Sequence, residues 1–151
     1  RTGLNGKIIR ITKFRSMKIN AEKDGVQWAL KNDSRITKTG RLIRATRLDE
    51  LPQLFSVIIG DMSLIGPRPE RPEIEEKLLK NIPYYDYRNI LKPGLSGWAQ
   101  VNYSYGASVF DSTQKLSYDI YYITNFSFFL DLLILFKTIK LIFNLRGYKP
   151  S

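Results

Sequence analysis

Two adjacent carboxylates, Asp49 and Glu50, sit in an arginine-rich stretch: Arg41, Arg44 and Arg47 precede them, and Arg68 follows between Pro67 and Pro69. Guanidinium forks match pairs of phosphate oxygens, while a carboxylate serves as an oxygen nucleophile or as a ligand for a hard cation. These residue types together suit phosphate chemistry, with Asp49 available for attack and Glu50 for holding a divalent cation. An Asp-Glu pair at a helix start also commonly does no more than cap it and add a first-turn charge.

The composition narrows the chemistry further. The 151 residues contain no His and no Cys, which removes imidazole bases, thiolate nucleophiles, disulfides and zinc–sulfur sites, so acid–base or nucleophilic work falls to Asp, Glu, Lys or Tyr. A formal charge of +10 asks for an anionic partner: nucleic acid, an acidic membrane surface or a phosphorylated small molecule. The length suits one domain spanning residues 1–151.

The elements that must position the pair are read as follows. Gly3-Leu4-Asn5-Gly6-Lys7 carries a hairpin turn signal, and Ile8 to Met17 alternates as its second strand, with basic side chains on an edge. Little of the first strand precedes that turn, so the chain is expected to be the catalytic portion of a longer protein. Residues 20–33 read as loop, and Asp33 or Ser34 as the cap of a helix to about Ala45. The next helix, 50–59, starts either with Asp49 as cap, Pro52 falling harmlessly in its first turn, or with Thr46 as cap and a kink at Pro52. In the first case the helix dipole and nearby arginines keep Asp49 ionised. Helix 50–59 is apolar enough to be core, and Gly60 ends it.

Further along, Gly66-Pro67-Arg68-Pro69 is a rigid turn that aims one arginine, and without a following Gly-Lys-Ser/Thr it is no Walker loop. Pro72 opens a helix to about Asn81, acidic at its start and basic at its end. Tyr84, Tyr85, Tyr87 and Arg88 suit packing or a membrane interface better than base stacking. Residues 95–102 are a short extended piece, 103–109 a loop, and a helix from about Ser112 to Tyr122 carries Asp119. The final helix, 127–145, is apolar around most of its circumference. Lys137, Lys140 and Asn144 form its narrow polar strip, with Asp131 and Thr138 opposite. Three charges in fewer than about 20 residues make a poor membrane span. The pattern suits an interfacial helix with its basic edge toward lipid phosphates, the alternative being a buried core helix.

Taken in order, these segments resemble the bacterial sugar transferase family, the monotopic phosphoglycosyl transferases that start glycan assembly on a polyprenyl phosphate. The matching stretches are Lys-Phe-Arg-Ser-Met at 13–17, Asp-Ser-Arg-Ile-Thr at 33–37, Leu-Asp-Glu-Leu-Pro-Gln-Leu at 48–54, residues 60–69, Lys-Pro-Gly-Leu-Ser-Gly-Trp-Ala-Gln-Val-Asn at 92–102, and 118–119 with 131–132. The resemblance implies that Asp49 attacks the β-phosphorus of a UDP-sugar donor and that Glu50 positions Mg²⁺. It further implies that Arg44, Arg68, Pro67 and Asp119 belong to the substrate-binding set, with Asp119 beside metal or acting as base. Polyprenyl phosphate is then the acceptor, at the cytoplasmic face of the bacterial inner membrane. Asp131 is expected to anchor the terminal helix from the protein side, and residues 103–108 resemble an insertion of larger relatives. The family's hydrophobic re-entrant helix, which belongs before the hairpin, has no counterpart in these residues.

The expected fold is α+β, mostly helical, with a small N-terminal β-hairpin and amphipathic membrane-interface helices. No nucleic-acid partner is expected, and a homo-oligomer is compatible with the reading. The rivals are a basic nucleic-acid-binding module, for which the acids at 49–50 offer no reason, and a catalytically silent membrane-surface domain, in which they merely cap a helix.

Overall fold

The computed structural model describes residues 1–23, 25, 28, 33–103, 106 and 108–143. The readings of Leu30 and half of the 20–33 loop, of 104, 105 and 107 in the 103–109 loop and of Asn144 and Leu145 lie outside them.

The protein is α+β and mostly helical, as expected. Its hairpin forms around Asn5 and Gly6, both at positive φ, and pairs Thr2 with Ile8. Pairing stops at Ile9, whose N–H donates to the Arg1 carbonyl. The expected second strand then runs on without a ladder partner and touches the body at separate points. Phe14 N–H donates to the Asp49 carbonyl at 3.0 Å, and Met17 bridges to Ile36.

Helix α1, Lys38–Ala45, starts at Thr37, whose Oγ1 accepts the Gly40 N–H at 2.9 Å. It does not start at Asp33, because that carboxylate is turned onto the Arg35 guanidinium at 2.6 Å. A Cβ on Gly40 would lie 1.9 Å from the Ser16 carbonyl oxygen, so only glycine lets α1 lie against the 8–17 segment.

After a 3₁₀ turn, Leu48–Glu50, comes the short helix α2, Gln53–Ile58. Gly60, at φ +86°, ends it as expected. The rest of the reading of α2 is overturned. Its buried residues are Gln53 and Ser56, while Leu54, Phe55 and Ile58 face outward, Phe55 at 67% and Ile58 at 79% exposure. Neither expected cap is used, since Arg47 enters the 3₁₀ turn in the left-handed conformation at φ +59°.

Strands β1, Ser63–Ile65, and β2, Gly94–Ser96, form a two-stranded parallel sheet with Ser63 opposite Gly94 and Ile65 opposite Ser96. Glycine permits this crossing, because a Cβ on Gly94 would meet the Gly66 nitrogen at 2.1 Å. Helix α3, Pro72–Asn81, follows as expected, and a 3₁₀ turn, Tyr85–Ile90, leads back to β2. Helices α4, Trp98–Asn102, α5, Val109–Asn125, and α6, Phe128–Phe143, complete the described chain. A reciprocal Ser108–Asp111 capping box starts α5 earlier than the sequence suggested.

Two apolar clusters hold these elements. One joins Ile74, Leu78, Ile82, Tyr85 and Leu116; the other joins Ile65, Tyr122 and Ile134. Ile134 is the buried anchor of α6, and Tyr122 donates from its hydroxyl to Asp131 at 2.7 Å, the anchoring expected of that acid. The expected basic edge of α6 is corrected at one residue. Lys137 turns inward, donating to Asn102 Oδ1 at 2.5 Å and lying over the Trp98 ring, where an aromatic face offsets its charge. Phe128, Phe129, Phe136 and Phe143 point outward.

Candidate active site

The left-handed Arg47 turns the chain so that both Asp49 and Glu50 are buried, although they sit on a 3₁₀ turn beside the exposed Leu48 and Leu51. They share the wall of a groove of about 1260 Å³ with Lys13, Arg44, Arg47, Arg68 and Asp119. Arg41 lies outside that wall on the exposed side of α1, so of the stepped arginines the last two reach the pair.

The two carboxylates are treated very differently. Glu50 Oε1 accepts from Lys13 Nζ at 2.7 Å and from Arg68 Nη2 at 2.6 Å, and Oε2 lies 3.6 Å from Arg47 Nη1. Burial alone pushes Glu50 up, but Arg68 and Lys13 overrule it and hold the carboxyl well below the usual range. Asp49 makes no ion pair or side-chain hydrogen bond among the described residues; its backbone carbonyl receives Phe14 N–H. Burial, followed by the charge of Glu50, pushes the Asp49 carboxyl above its ordinary value against the opposing pull of Lys13, Arg44 and Arg47. The expectation that a helix dipole and arginines favour its ionised form is corrected: Asp49 lies within the 3₁₀ turn and makes no cap hydrogen bond to α2, and desolvation outweighs the cations.

Arg68 reaches Glu50 from the turn after β1. Gly66 N–H donates to Ser96 O at 2.9 Å and Gly94 N–H to Pro67 O at 2.8 Å, so β2 holds the turn. Pro67 is buried and does not line the groove; its contribution is the shape of this turn. Asp119, on α5, is 1% exposed and sits at the back of the groove in an ion pair with Arg88 at 2.8 Å.

Lys13, Arg88 and Tyr85 take part in this site without a sequence signal that assigns them there. Lys13 stands in a matched motif, but only the contact between Phe14 and the Asp49 carbonyl brings it to Glu50. The aromatic and basic cluster divides: Tyr85 and Arg88 are buried, whereas Tyr84 and Tyr87 are exposed and meet edge to face.

A carboxylate without a partner, beside one pinned by cations and with further arginines on the same wall, can attack an electrophile whose anionic groups those arginines hold. Three curated proteins are similar to this chain. A UDP-N-acetylgalactosamine-undecaprenyl-phosphate N-acetylgalactosaminephosphotransferase of Aeromonas hydrophila is 51% identical over 94% of this chain and 34% of its own length. A UDP-glucose:undecaprenyl-phosphate glucose-1-phosphate transferase of Klebsiella pneumoniae is 43% identical over 92% of this chain and 30% of its own length. An uncharacterized sugar transferase of Bacillus subtilis is 42% identical over 100% of this chain and 71% of its own length. The chain thus spans about a third of the length of the first two relatives. The family model described as bacterial sugar transferase matches residues 1–145, nearly everything from the hairpin through α6, and the chain belongs to that family.

Proposed function

We propose that the protein transfers a sugar 1-phosphate from a UDP-sugar to undecaprenyl phosphate, or a similar polyprenyl phosphate, through a covalent intermediate on Asp49. The observation that carries this reading is the inequality of two neighbouring acids. Glu50 is locked to Lys13 and Arg68, while Asp49 opens onto the same groove with its carboxylate unpaired among the described residues. The names of the A. hydrophila and K. pneumoniae relatives support the donor and acceptor classes.

In this scheme an Asp49 oxygen attacks the β-phosphorus of the donor. The bond from that phosphorus to the bridging oxygen breaks, UMP departs with the electron pair, and the phosphosugar remains on the carboxylate. An oxygen of the polyprenyl phosphate then attacks the same phosphorus, expelling Asp49 and giving the polyprenyl diphosphate sugar. Arg44 and Arg68 hold the phosphates, with Pro67 fixing the turn that carries Arg68.

The residues also suit Mg²⁺ at Glu50. Oε2 has only Arg47 at 3.6 Å, beyond hydrogen-bond range, so one oxygen is available to a cation. Among the described residues no group of three or more acids could hold a metal, so the remaining ligands of such an ion would have to come from donor phosphates and water. Such an ion would offset charge on the pyrophosphate.

The working location is the membrane surface, on the cytoplasmic face of the bacterial inner membrane. The outward apolar side chains of α2 and α6 support it, and among the described residues no helix is long and apolar enough to cross a membrane.

Intact-protein mass spectrometry with Mg²⁺ and a panel of UDP-sugars, without acceptor, tests the scheme. The expected result is a sugar-phosphate adduct on the wild type and none on Asp49→Asn. An adduct that persists on a folded Asp49→Asn variant would reject the nucleophile. The relatives' names make UDP-N-acetylgalactosamine and UDP-glucose the first two donors to try.

A further inference from the structure

A buried ion pair needs a reason. Removing two charges from water is so costly that well-packed apolar residues often replace such a pair at no loss of stability. Arg88 and Asp119 are such a pair, both buried, on the 3₁₀ turn Tyr85–Ile90 and on α5. The guanidinium makes one ion pair and two hydrogen bonds. Nη2 meets Asp119 Oδ2 at 2.8 Å and donates to the Arg68 backbone carbonyl at 2.7 Å, while Nη1 donates to the Tyr85 hydroxyl at 2.5 Å. Tyr85 is itself fixed in the larger apolar cluster.

The Arg68 carbonyl is the informative partner. Pro67 and Pro69 restrict the backbone on both sides of Arg68, and β2 holds the turn from behind. With its carbonyl held too, Arg68 has a settled backbone, and the freedom that remains lies in its side chain, which ends 2.6 Å from Glu50. Lys13 competes for the same Glu50 oxygen, so a displaced Arg68 would yield that place.

We propose that Arg88 and Asp119 are positioning residues for Arg68: Asp119 holds the Arg88 guanidinium by its charge, Arg88 holds the Arg68 carbonyl, and the Arg68 side chain is thereby aimed at Glu50. Neither touches the donor. A lysine at position 88 has no planar fork with which to meet a carboxylate, a phenol and a carbonyl together. The inference rests on the transferase reading for its catalytic consequence, and on geometry alone for the placement of Arg68.

Two measurements on the full-length protein separate these. The first is an NMR spectrum of the arginine guanidinium groups, with the Arg68 signal identified by its loss in Arg68→Lys. Wild type is expected to show a distinct, slowly rotating Arg68, which merges with the exposed arginines in Asp119→Asn and in Arg88→Lys. The Arg35 signals, tied to Asp33, report that the fold persists. If either variant fails to fold, Arg88→Met combined with Asp119→Leu removes both charges at once and should show the same loss. An Arg68 signal unchanged in any folded variant overturns the proposal.

The second measurement is a double-mutant cycle on adduct formation. Asp119→Asn should slow it about tenfold or more in the wild-type background and less than about twofold further in Arg68→Ala, because a residue acting through Arg68 has nothing left to act on. Losses that multiply overturn the proposal. No adduct from any donor, with the Arg68 signal still dependent on Asp119, would end the transferase reading and leave the positioning intact.

Discussion

Helices α2 and α3 are both amphipathic, and they turn their apolar sides in opposite directions. Helix α3 buries Ile74 and Leu78 against α5 and the 3₁₀ turn, and it shows Glu76, Lys77 and Lys80 to the outside. Helix α2 buries Gln53 and Ser56 and presents Leu54, Phe55 and Ile58. In α3 the core and water divide the helix in the ordinary way. In α2 the buried side is polar, Gln53 and Ser56, and the apolar side faces a medium other than the core. Helix α6 extends the second pattern, with Ile134 inward and four phenylalanines outward. The molecule therefore has one face built for packing and another whose apolar surface has no partner among the described residues, the mark of an interaction surface.

The sharpest way to break this contrast is truncation of each face. Leu78→Ala, at a site 1% exposed, should destabilise the fold by about 2–5 kcal/mol in denaturant or thermal unfolding. Phe55→Ser with Ile58→Ser should change stability far less, and a loss as large as that of Leu78→Ala would show that α2 packs against protein after all. The same pair of changes should weaken binding to anionic vesicles by about tenfold, roughly 1.4 kcal/mol of lost burial. Unchanged vesicle binding would count against the interfacial reading of α2. At the smallest end, Lys137→Met should cost less than about 1 kcal/mol of stability, since it gives up one hydrogen bond and one contact with the Trp98 face.

The two acids of the 3₁₀ turn before α2 have their own test, in pH. Burial and then the charge of Glu50 raise the Asp49 carboxyl, so Asp49 stays protonated to a higher pH than an ordinary aspartate. The rate of adduct formation should fall as pH drops through that raised value, and Glu50→Gln, which removes the second cause, should move the acid limb downward. An acid limb at the ordinary aspartate value in wild type would contradict the desolvation. Stability follows opposite signs for the two acids. Asp49 favours the fold at pH below its unfolded value and loses that contribution as pH rises through the folded one. Glu50, held low, favours the fold above its unfolded value and loses that contribution only in strong acid.

The contrast also separates what the sequence made legible from what it did not. Helix α3 was readable from end to end because Pro72, the acids of its first turn and Lys80 encode its polarity locally. The hairpin turn at Asn5-Gly6 and the stop at Gly60 were readable for the same reason, each resting on a backbone conformation that few residues adopt. Helix α2 defeated the reading because periodicity identifies an apolar side without saying which medium meets it. Asp33 passed for a cap because its competing partner, Arg35, wins only in three dimensions. Asp49, Glu50, Arg44 and Arg68, which line one groove, stand in a stretch that residue type and spacing already single out. No such signal places Lys13 and Arg88, since each joins the site across a stretch of chain that no local pattern describes.

The line from Lys13 through Glu50, Arg68 and Arg88 to Asp119 has a consequence in time. It draws on positions spread over most of the chain, so a ribosome that has just released Glu50 must add residues up to Asp119 before the line can close. At about 5–20 residues per second that interval is roughly 3–14 s. Through it, Glu50 and Arg68 belong to an unfinished domain, and the outward phenylalanines of α6 have yet to be made. Assembly of the site and completion of the apolar face thus wait on the synthesis of α5 and α6, and a chain interrupted before them would carry Glu50 and Arg68 without Arg88 and Asp119 both in place.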